Sequence, residues 1–581
     1  MRQIIKNRHE FFVLSKIRSR FVLLTLLLSF FALFSQAFYL QGMQNEWLQE
    51  EGFNRSNRKI ILLAYRGKIF DRNGKVLAGS APVQTIKANP VSVKFQKGQK
   101  NKLAKLLKLD PKYLDQKLRK KNRPYVFLKK RLSPKVAAQI MALKIPGITL
   151  DKEYRRYYPG NASSAHVVGY LGSDGNGLEG LEMAMNEALS GEHGFKKVLI
   201  DAKRRIVDEL SEVKVPKDGQ DIHLSIDSRL QEKTYEALKK AVDKHEAKSG
   251  SAILIDAKSG EVLAMSNFPS YNPNKPLTTI EAKNLKNRVM TDAFEPGSTV
   301  KPISVAVALE KNVVNVRTKI NTTLKGHYKV GKHTIYDTHA YGTLTVKEVI
   351  QRSSNIGAVK IAEKMTAKSL WSIYNNFGFG RKTEIEFPGE TRGELKSYKS
   401  WKKSDRAAIS YGYSLSGSLA QIVRAYTPFA NSGELKPLSL IKKNEPVIGK
   451  RVLSTKVSNQ ILNILESVVS EDGGTAPHAQ VPGYRIAGKT GTAKKSLIGR
   501  RGYGKKYTAS FVGIAPVSKP KFIMAIMIDE PSKGGIYGGP LAGPVFKEVM
   551  STALKLYSVP QDGLNNEVIE RKNGVNINIT I

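Results

Sequence analysis

Phe294-Glu295-Pro296-Gly297-Ser298-Thr299-Val300-Lys301-Pro302 decides how this chain is read, and an apolar run, Ile303-Ser304-Val305-Ala306-Val307-Ala308-Leu309, follows it. The run predicts a buried helix. Pro302 dates its first turn, where a missing N–H leaves no bond unmade. Ser298 therefore sits at or beside the helix N-terminus, and Gly297 permits a sharp entry. Lys301 lies three residues on, on the same face, so its amine can reach the hydroxyl. A serine becomes a nucleophile when a neighbouring base takes its proton. A lysine serves as that base once burial or nearby cations hold it neutral. The helix N-terminus adds partial positive charge where an oxyanion would form.

Ser-x-x-Lys alone is weak: the chain repeats it at Ser400-Trp401-Lys402-Lys403, in a polar segment where a solvated helix face is the plainer account. Two elements downstream give it weight, Ser353-Ser354-Asn355 and Lys489-Thr490-Gly491-Thr492. Ser-x-Asn has a second copy at Ser270-Tyr271-Asn272, whereas Lys-Thr-Gly occurs once. In this order the three match the set of penicillin-interacting serine enzymes. In the chemical reading, Ser298 attacks an acyl carbonyl and Lys301 accepts its proton. Asn355 donates to a substrate amide while fixing Lys301, and Ser353 relays a proton to the leaving amine. Lys489 adds positive potential, which lowers the Lys301 pKa and attracts a carboxylate that Thr490 and Thr492 hydrogen-bond. Gly491 lets the edge strand lie close to the substrate backbone, as in strand addition. The backbone N–H groups of Ser298 and Thr492 form the oxyanion hole. Taken singly, Ser353 and Asn355 read as a helix cap and Lys489 as a protective edge lysine. Their conjunction predicts an acyl-serine site that needs no cofactor and no metal.

The chain has 581 residues, 41% of them hydrophobic, which is enough for two to four domains with substantial cores. There is no cysteine, so disulfides, thiol catalysis and Cys-ligated metals are excluded. The 94 Lys+Arg against 50 Asp+Glu give a net charge of +44. That suits polyanionic surroundings: nucleic acid, anionic lipid or an anionic wall polymer. The charge reads as spread along the chain. With no zinc-finger spacing and no RNA-binding aromatic signature, nucleic acid is not an expected partner.

Residues 1–20 carry six cations against Glu10 and read as a cytoplasmic tail; 21–40 hold no charge. Twenty such residues in a helix span about 30 Å, the thickness of a bilayer core, and the basic flank directs the rest of the chain outward. Ser35-Gln36-Ala37 also fits a signal-peptide cleavage site. The length of the run, and Phe38 and Tyr39 at its edge, favour a retained anchor. Residues 41–60 read as a polar helical stalk. Residues 65–78 read as a hairpin turning at Asn73-Gly74, and 97–150 as Lys-rich helices. Arg155, Arg156, His166 and Gly177 to Glu182 read as a structural ion-pair cluster. A pedestal domain is drawn over 41–220, a second domain over 221–560 and a tail over 561–581. Within the second domain, Asp227-Ser228 caps a helix and 251–265 form two strands. His327, His333 and His339 recur evenly with Asp337, which invites a metal, but Gly331 turns the chain between the first two. Residues 484–493 and 507–514 pair as strands around a mobile basic tip, 494–506; a buried strand, 522–529, and a closing helix, 544–556, follow.

At these residues the chain resembles class B penicillin-binding proteins, and within them the division-specific peptidoglycan D,D-transpeptidases. The likeness is carried by Arg66-Gly67-Lys68-Ile69-Phe70-Asp71-Arg72-Asn73-Gly74, by Gly177 through Glu182 and by the three motifs with their flanks, through Ala493. The short N-terminal module, the overall length and Tyr537-Gly538-Gly539-Pro540 are what favour division over elongation. The resemblance implies an α/β (α+β) serine transpeptidase/β-lactamase-like domain, an antiparallel sheet flanked by helices, on an elongated α+β pedestal with one transmembrane helix. It implies a periplasm-facing enzyme of the inner membrane at the division site. The enzyme would cross-link D-Ala-D-Ala stem peptides of nascent lipid-linked glycan, be acylated by β-lactams at Ser298, and dock a polytopic glycosyltransferase. A D,D-carboxypeptidase or β-lactamase-like hydrolase and a catalytically silent scaffold are the competing readings. The chain departs from the family at Gly412-Tyr413-Ser414 and Ser418-Leu419, where Gly-Tyr-Gly and a Thr-Pro pair are usual. That segment is expected to lie behind the site.

Overall fold

The computed structural model describes residues 15–201, 206–276, 282–497 and 502–563. The expected C-terminal tail from 564, the first fourteen residues of the cytoplasmic tail and the centre of the basic tip lie outside these residues. The chain forms two compact units, 1–64 with 191–218 and 65–190 with 219–581, so the segment 41–220 contributes to both.

In the first unit a helix, Lys16–Phe38, continues through a π-type turn, Tyr39–Met43, into a second helix, Asn45–Ser56. Among the described residues, Lys16–Met43 is the stretch long and apolar enough to cross a bilayer, and none of it is buried. The helix begins before the uncharged run because Lys16, Arg18 and Arg20 are good helix formers and extend a nucleated helix at little cost. The stalk is helical only to Ser56. Asn57–Leu62 is already a strand, paired antiparallel with Gly194–Ile200, which pairs in turn with Ile206–Lys214.

In the second unit, the long strand Val76–Ala88 lies between Val126–Leu132 and Ile148–Tyr157, both antiparallel to it. Three short helices, Gln99–Leu107, Pro111–Leu118 and Pro134–Met141, close a small core around Ile86, Leu103, Leu114 and Ile140. Positive charge is concentrated here, contrary to the even spread read along the chain: residues 89–150 hold 17 Lys+Arg and two acids, Asp110 and Asp115. Asp71, buried, accepts from the backbone of Asn73 and Lys75 and so builds the predicted turn. Glu182, fully buried, receives Arg66 at 2.7 Å and Arg156 at 2.6 Å. Of the expected ion-pair cluster Arg156 and Glu182 meet, Arg66 joins them, and Arg155 and His166 bond instead to the backbone carbonyls of Asn274 and Asn284.

The rest of this unit is built on one five-stranded antiparallel sheet. Its elements are α1 (Ser228–Lys244), β1 (Ser249–Asp256), β2 (Val262–Phe268), α2 (Lys301–Glu310), α3 (Asn355–Glu363), α4 (Thr455–Ser470), β3 (Ala487–Ser496), β4 (Tyr503–Ala515), β5 (Phe522–Asp529) and α5 (Gly538–Leu556). The strand order is β2-β1-β5-β4-β3. All eight residues of β1 and of β5 are buried, with no alternation, so helices cover both faces. Asp227 caps α1 through the Arg229 N–H. Strands β3 and β4 run further than expected, to Ser496 and from Tyr503, so most of the basic tip is strand; 498–501 lie outside the described residues. The closing helix starts at Gly538, not Pro544, which sits inside it. Its start is set by packing: a Cβ at Gly538 would fall 2.1 Å from Ser510 O, and one at Gly539 2.3 Å from Thr475 O.

Cutting the carboxylate from the buried cluster leaves two guanidiniums without a counter-charge. Glu182→Ala should therefore lower unfolding stability by about 3–5 kcal/mol, read by thermal or denaturant unfolding of the detergent-solubilised chain, while Glu192→Ala, at an exposed pair with Lys214, should change it by about 1 kcal/mol or less.

Candidate active site

Ser298 stands on a 3₁₀ turn, Gly297–Val300, that runs directly into α2. Gly297 has φ +56°, and its N–H donates to Gly412 O at 3.0 Å. A Cβ at Gly412 would lie 1.9 Å from Gly297 O, so the two backbones meet only because Gly412 has none. Tyr426, fully buried, donates its hydroxyl to Thr299 O at 2.6 Å. These contacts fix the turn and leave Ser298 half-buried on an open cleft of about 880 Å³. Ser353, Asn355, Thr490 and Thr492 line the same cleft.

Behind the cleft lie two amines. Every residue of α2 from Lys301 to Leu309 is buried, and the Lys301 side chain ends against the Ser353 loop. Its amine donates to Ser353 O, to Ser353 Oγ at 3.3 Å and to Asn355 Oδ1 at 2.7 Å. Lys489, also fully buried, donates to Ser353 Oγ at 2.8 Å and Thr490 O at 3.1 Å. One hydroxyl thus joins both lysines. Burial disfavours each charge, and the Lys301 charge further disfavours that of Lys489, the reverse of the expected influence of Lys489 on Lys301. Lys301 is lowered to about 7, mainly by desolvation, with Asp337 opposing the shift. Lys489 lies well below the ordinary lysine range, through desolvation and then Lys301. The amine donates to Ser353 and Asn355, not to Ser298 as the helical spacing suggested; a hydrogen bond to the nucleophile that tightens on substrate binding is a common arrangement.

Ser353 holds a left-handed backbone, φ +60°, and Ser354 caps α3 through the Gly357 N–H at 2.8 Å. Asp337 receives the Ser354 hydroxyl and the Asn355 N–H at 2.5 Å each, and the Ile356 N–H at 3.1 Å. The sequence reading weighed Asp337 only as a metal ligand. Its function as the anchor of this loop had one signal, a carboxylate facing the N-terminus of a following helix. The histidines beside it do not converge: His327 and His333 lie at opposite ends of a hairpin turning at Gly331. The Asn355 side-chain N–H₂ donates to Tyr336 O at 2.8 Å, so one of its two hydrogens remains for a ligand.

Strand β3 supplies the opposite wall. Thr490 meets Thr475, hydroxyl to hydroxyl, at 2.8 Å, and Thr492 O lies 3.3 Å from where a Gly297 Cβ would be, which brings the Ser298 turn against this strand. Gly491 does not line the cleft. A Cβ there would meet Ser510 Oγ at 2.3 Å and Thr299 Cγ2 at 2.8 Å, so glycine is needed to press β3 onto the nucleophile turn, not to admit substrate. The segment at Gly412-Tyr413-Ser414 is not behind the site. Tyr411 and Tyr413 line the cleft, and the Tyr413 hydroxyl accepts from the Lys494 N–H at 3.0 Å. The expectation failed because a glycine in contact with Gly297 carries its neighbours to the cleft mouth. The two repeated motifs are structural: Ser270 Oγ donates to Ala162 O, and Ser400 Oγ to Ser397 O.

Asp337→Ala removes a charged acceptor worth roughly 1.5–3 kcal/mol per hydrogen bond. Amide exchange at Asn355 and Ile356 should quicken roughly 10- to 100-fold, as measured by hydrogen–deuterium exchange, with the β1 amides unchanged.

Comparison with known proteins identifies the family. The Penicillin binding protein transpeptidase domain matches residues 250–551 and the Penicillin-binding Protein dimerisation domain 61–224. A probable peptidoglycan D,D-transpeptidase PenA of Neisseria meningitidis is 38% identical over 546 residues, 93% of each chain. Peptidoglycan D,D-transpeptidase FtsI of Escherichia coli is 38% identical over 557 residues, 94% of this chain and 93% of that one. Among solved structures, a peptidoglycan synthetase from Bifidobacterium adolescentis superposes with TM-score 0.69 at 26% identity, covering 88% of this chain and 98% of that one. The transpeptidase domain of penicillin-binding protein 3 from Burkholderia pseudomallei does so with TM-score 0.53 at 45% identity, covering 58% and 97%. The chain belongs to the class B penicillin-binding proteins, single-pass inner-membrane enzymes that act as D-Ala-D-Ala transpeptidases on peptidoglycan.

Proposed function

We propose that this chain cross-links stem peptides during septal wall synthesis through an acyl-serine intermediate on Ser298. The observation that carries the mechanism is the shared Ser353 hydroxyl between two buried, depressed amines on the cleft that Ser298 lines. Ser298 Oγ attacks the carbonyl of the penultimate D-Ala, and neutral Lys301 takes its proton. Backbone N–H groups of Ser298 and Thr492 hold the oxyanion. The peptide C–N bond breaks, and Ser353 passes a proton from the lysine pair to the departing D-Ala amine. An amine of a second stem peptide then attacks the ester and frees Ser298. Asn355 orients the donor amide, burial keeps Lys301 neutral, Lys489 holds the Ser353 hydroxyl in place, and Thr490 and Thr492 bind the donor's end. The likeness to FtsI over nearly the whole chain supports the septal role. The apolar helix, long enough to cross the membrane, supports docking to a polytopic glycosyltransferase there.

A fluorescent penicillin should label the wild type and not Ser298→Ala; label on the alanine variant would remove Ser298 as nucleophile. Release of the label over hours fits a transpeptidase, and release within seconds would favour the hydrolase reading. The base must be neutral to act, so the labelling rate should rise with pH through a midpoint near 7, the range to which Lys301 is lowered, and level off above it. Asp337→Asn removes the one charge that raises this lysine, so the midpoint should move to lower pH. Depletion in the host should give filaments with unfinished septa; rounded cells would point to elongation.

A further inference from the structure

Next to Ser353, the cleft carries a cation that the acyl-serine mechanism leaves idle. Arg352 lines the cleft. Its guanidinium lies over the Tyr341 ring at 5.8 Å, and a Cβ on Gly473 would come within 3.3 Å of its Cζ. Its Nε is buried without a hydrogen-bond partner. Among the described residues no carboxylate sits within ion-pair distance of it. Glu348, one helical turn back, feels its charge but is committed to the Thr345 N–H and hydroxyl. From Gly473 the loop runs to Thr475, whose hydroxyl meets that of Thr490, so Arg352 and the Lys-Thr-Gly edge belong to one wall.

The donor peptide ends in a carboxylate, which a cation binds more strongly than neutral hydroxyls do. Lys489, the residue the sequence offers for this, is fully buried. Its amine is spent on Ser353 Oγ and Thr490 O, and it lies well below the ordinary lysine range. A guanidinium stays charged throughout the working pH range and fits a carboxylate with two parallel N–H donors. We propose that Arg352 is the receptor for the donor's C-terminal carboxylate, its guanidinium pairing with that group beside the hydroxyls of Thr475 and Thr490. This deepens the acyl-serine reading and rests on it.

The test uses the full-length chain in detergent and two acyl-D-alanyl thioesters that differ only in the leaving group, one ending in a carboxylate and the other in the matching carboxamide. The wild type should prefer the carboxylate donor. Arg352→Gln should cut kcat/KM for that donor roughly 10- to 100-fold, chiefly through KM, and for the carboxamide about threefold or less. Arg352→Lys should recover part of the preference. An equal fall for both donors would mean that Arg352 only supports the Ser353 loop, and would overturn the assignment. A wild-type measurement stands apart from any folding defect: the ratio between donors should stay flat from about pH 6 to 9, since Lys301 affects both alike. A ratio that decays as pH rises would assign the carboxylate to a titrating lysine instead. Failure of the acyl-serine reading looks different: neither donor acylates the wild type, or Ser298→Ala turns both over, and the carboxylate assignment goes with it.

Discussion

Two lysine amines share one serine hydroxyl beneath the cleft, and the surrounding structure is arranged to keep them there. A buried ammonium is expensive, and two within reach of one oxygen are more so. The fold holds them by enclosing α2 completely, by seating Lys489 in a strand hydrogen-bonded to its neighbour along most of its length, and by bending Ser353 into a left-handed conformation that aims its hydroxyl between them. Strain of that kind persists where surrounding contacts over-determine it. Here the contacts are the Ser354 cap and the three donors on Asp337.

Close backbone approach is the second constraint. The Ser298 turn is clamped between Gly412 on one side and Gly491 on the other, and at each a methyl group would overlap atoms of the turn or of the neighbouring strand. The clamp brings the nucleophile, the Thr492 backbone and the tyrosines at 411 and 413 to one cleft, though they are far apart in sequence. The rest of the sheet is a buried platform. With β1 and β5 covered on both faces, the edge strand β3 is the part left to meet a ligand.

Away from the cleft, the Arg66–Glu182–Arg156 cluster does for the pedestal what the lysine network does for the site: it holds charges in a dry interior, two guanidiniums on one carboxylate. The excess of Lys+Arg between 89 and 150 is carried mainly on exposed positions over a small apolar core. The 17 cations against two acids in this stretch supply about a third of the chain's net +44, which composition alone had left evenly distributed.

How much was legible follows from what each feature depends on. The nucleophile helix, the capped α1, the Asn-Gly turn and the three motifs are local: proline and glycine restrict the backbone, caps satisfy orphan N–H groups, and spacing sets helix faces. The sequence by itself determined these, along with the apolar membrane segment, whose length and lack of charge suffice. Tertiary structure alone decided that Lys301 turns to Ser353 and Asn355, that Asp337 is an anchor, that Gly491 serves packing, and that Tyr413 faces the cleft. It also moved the start of α5 to Gly538, since burial against β4 outweighed the usual position of a proline. Each of these rests on contacts between residues distant in the chain, and no local pattern encodes which distant neighbour will fill a given space.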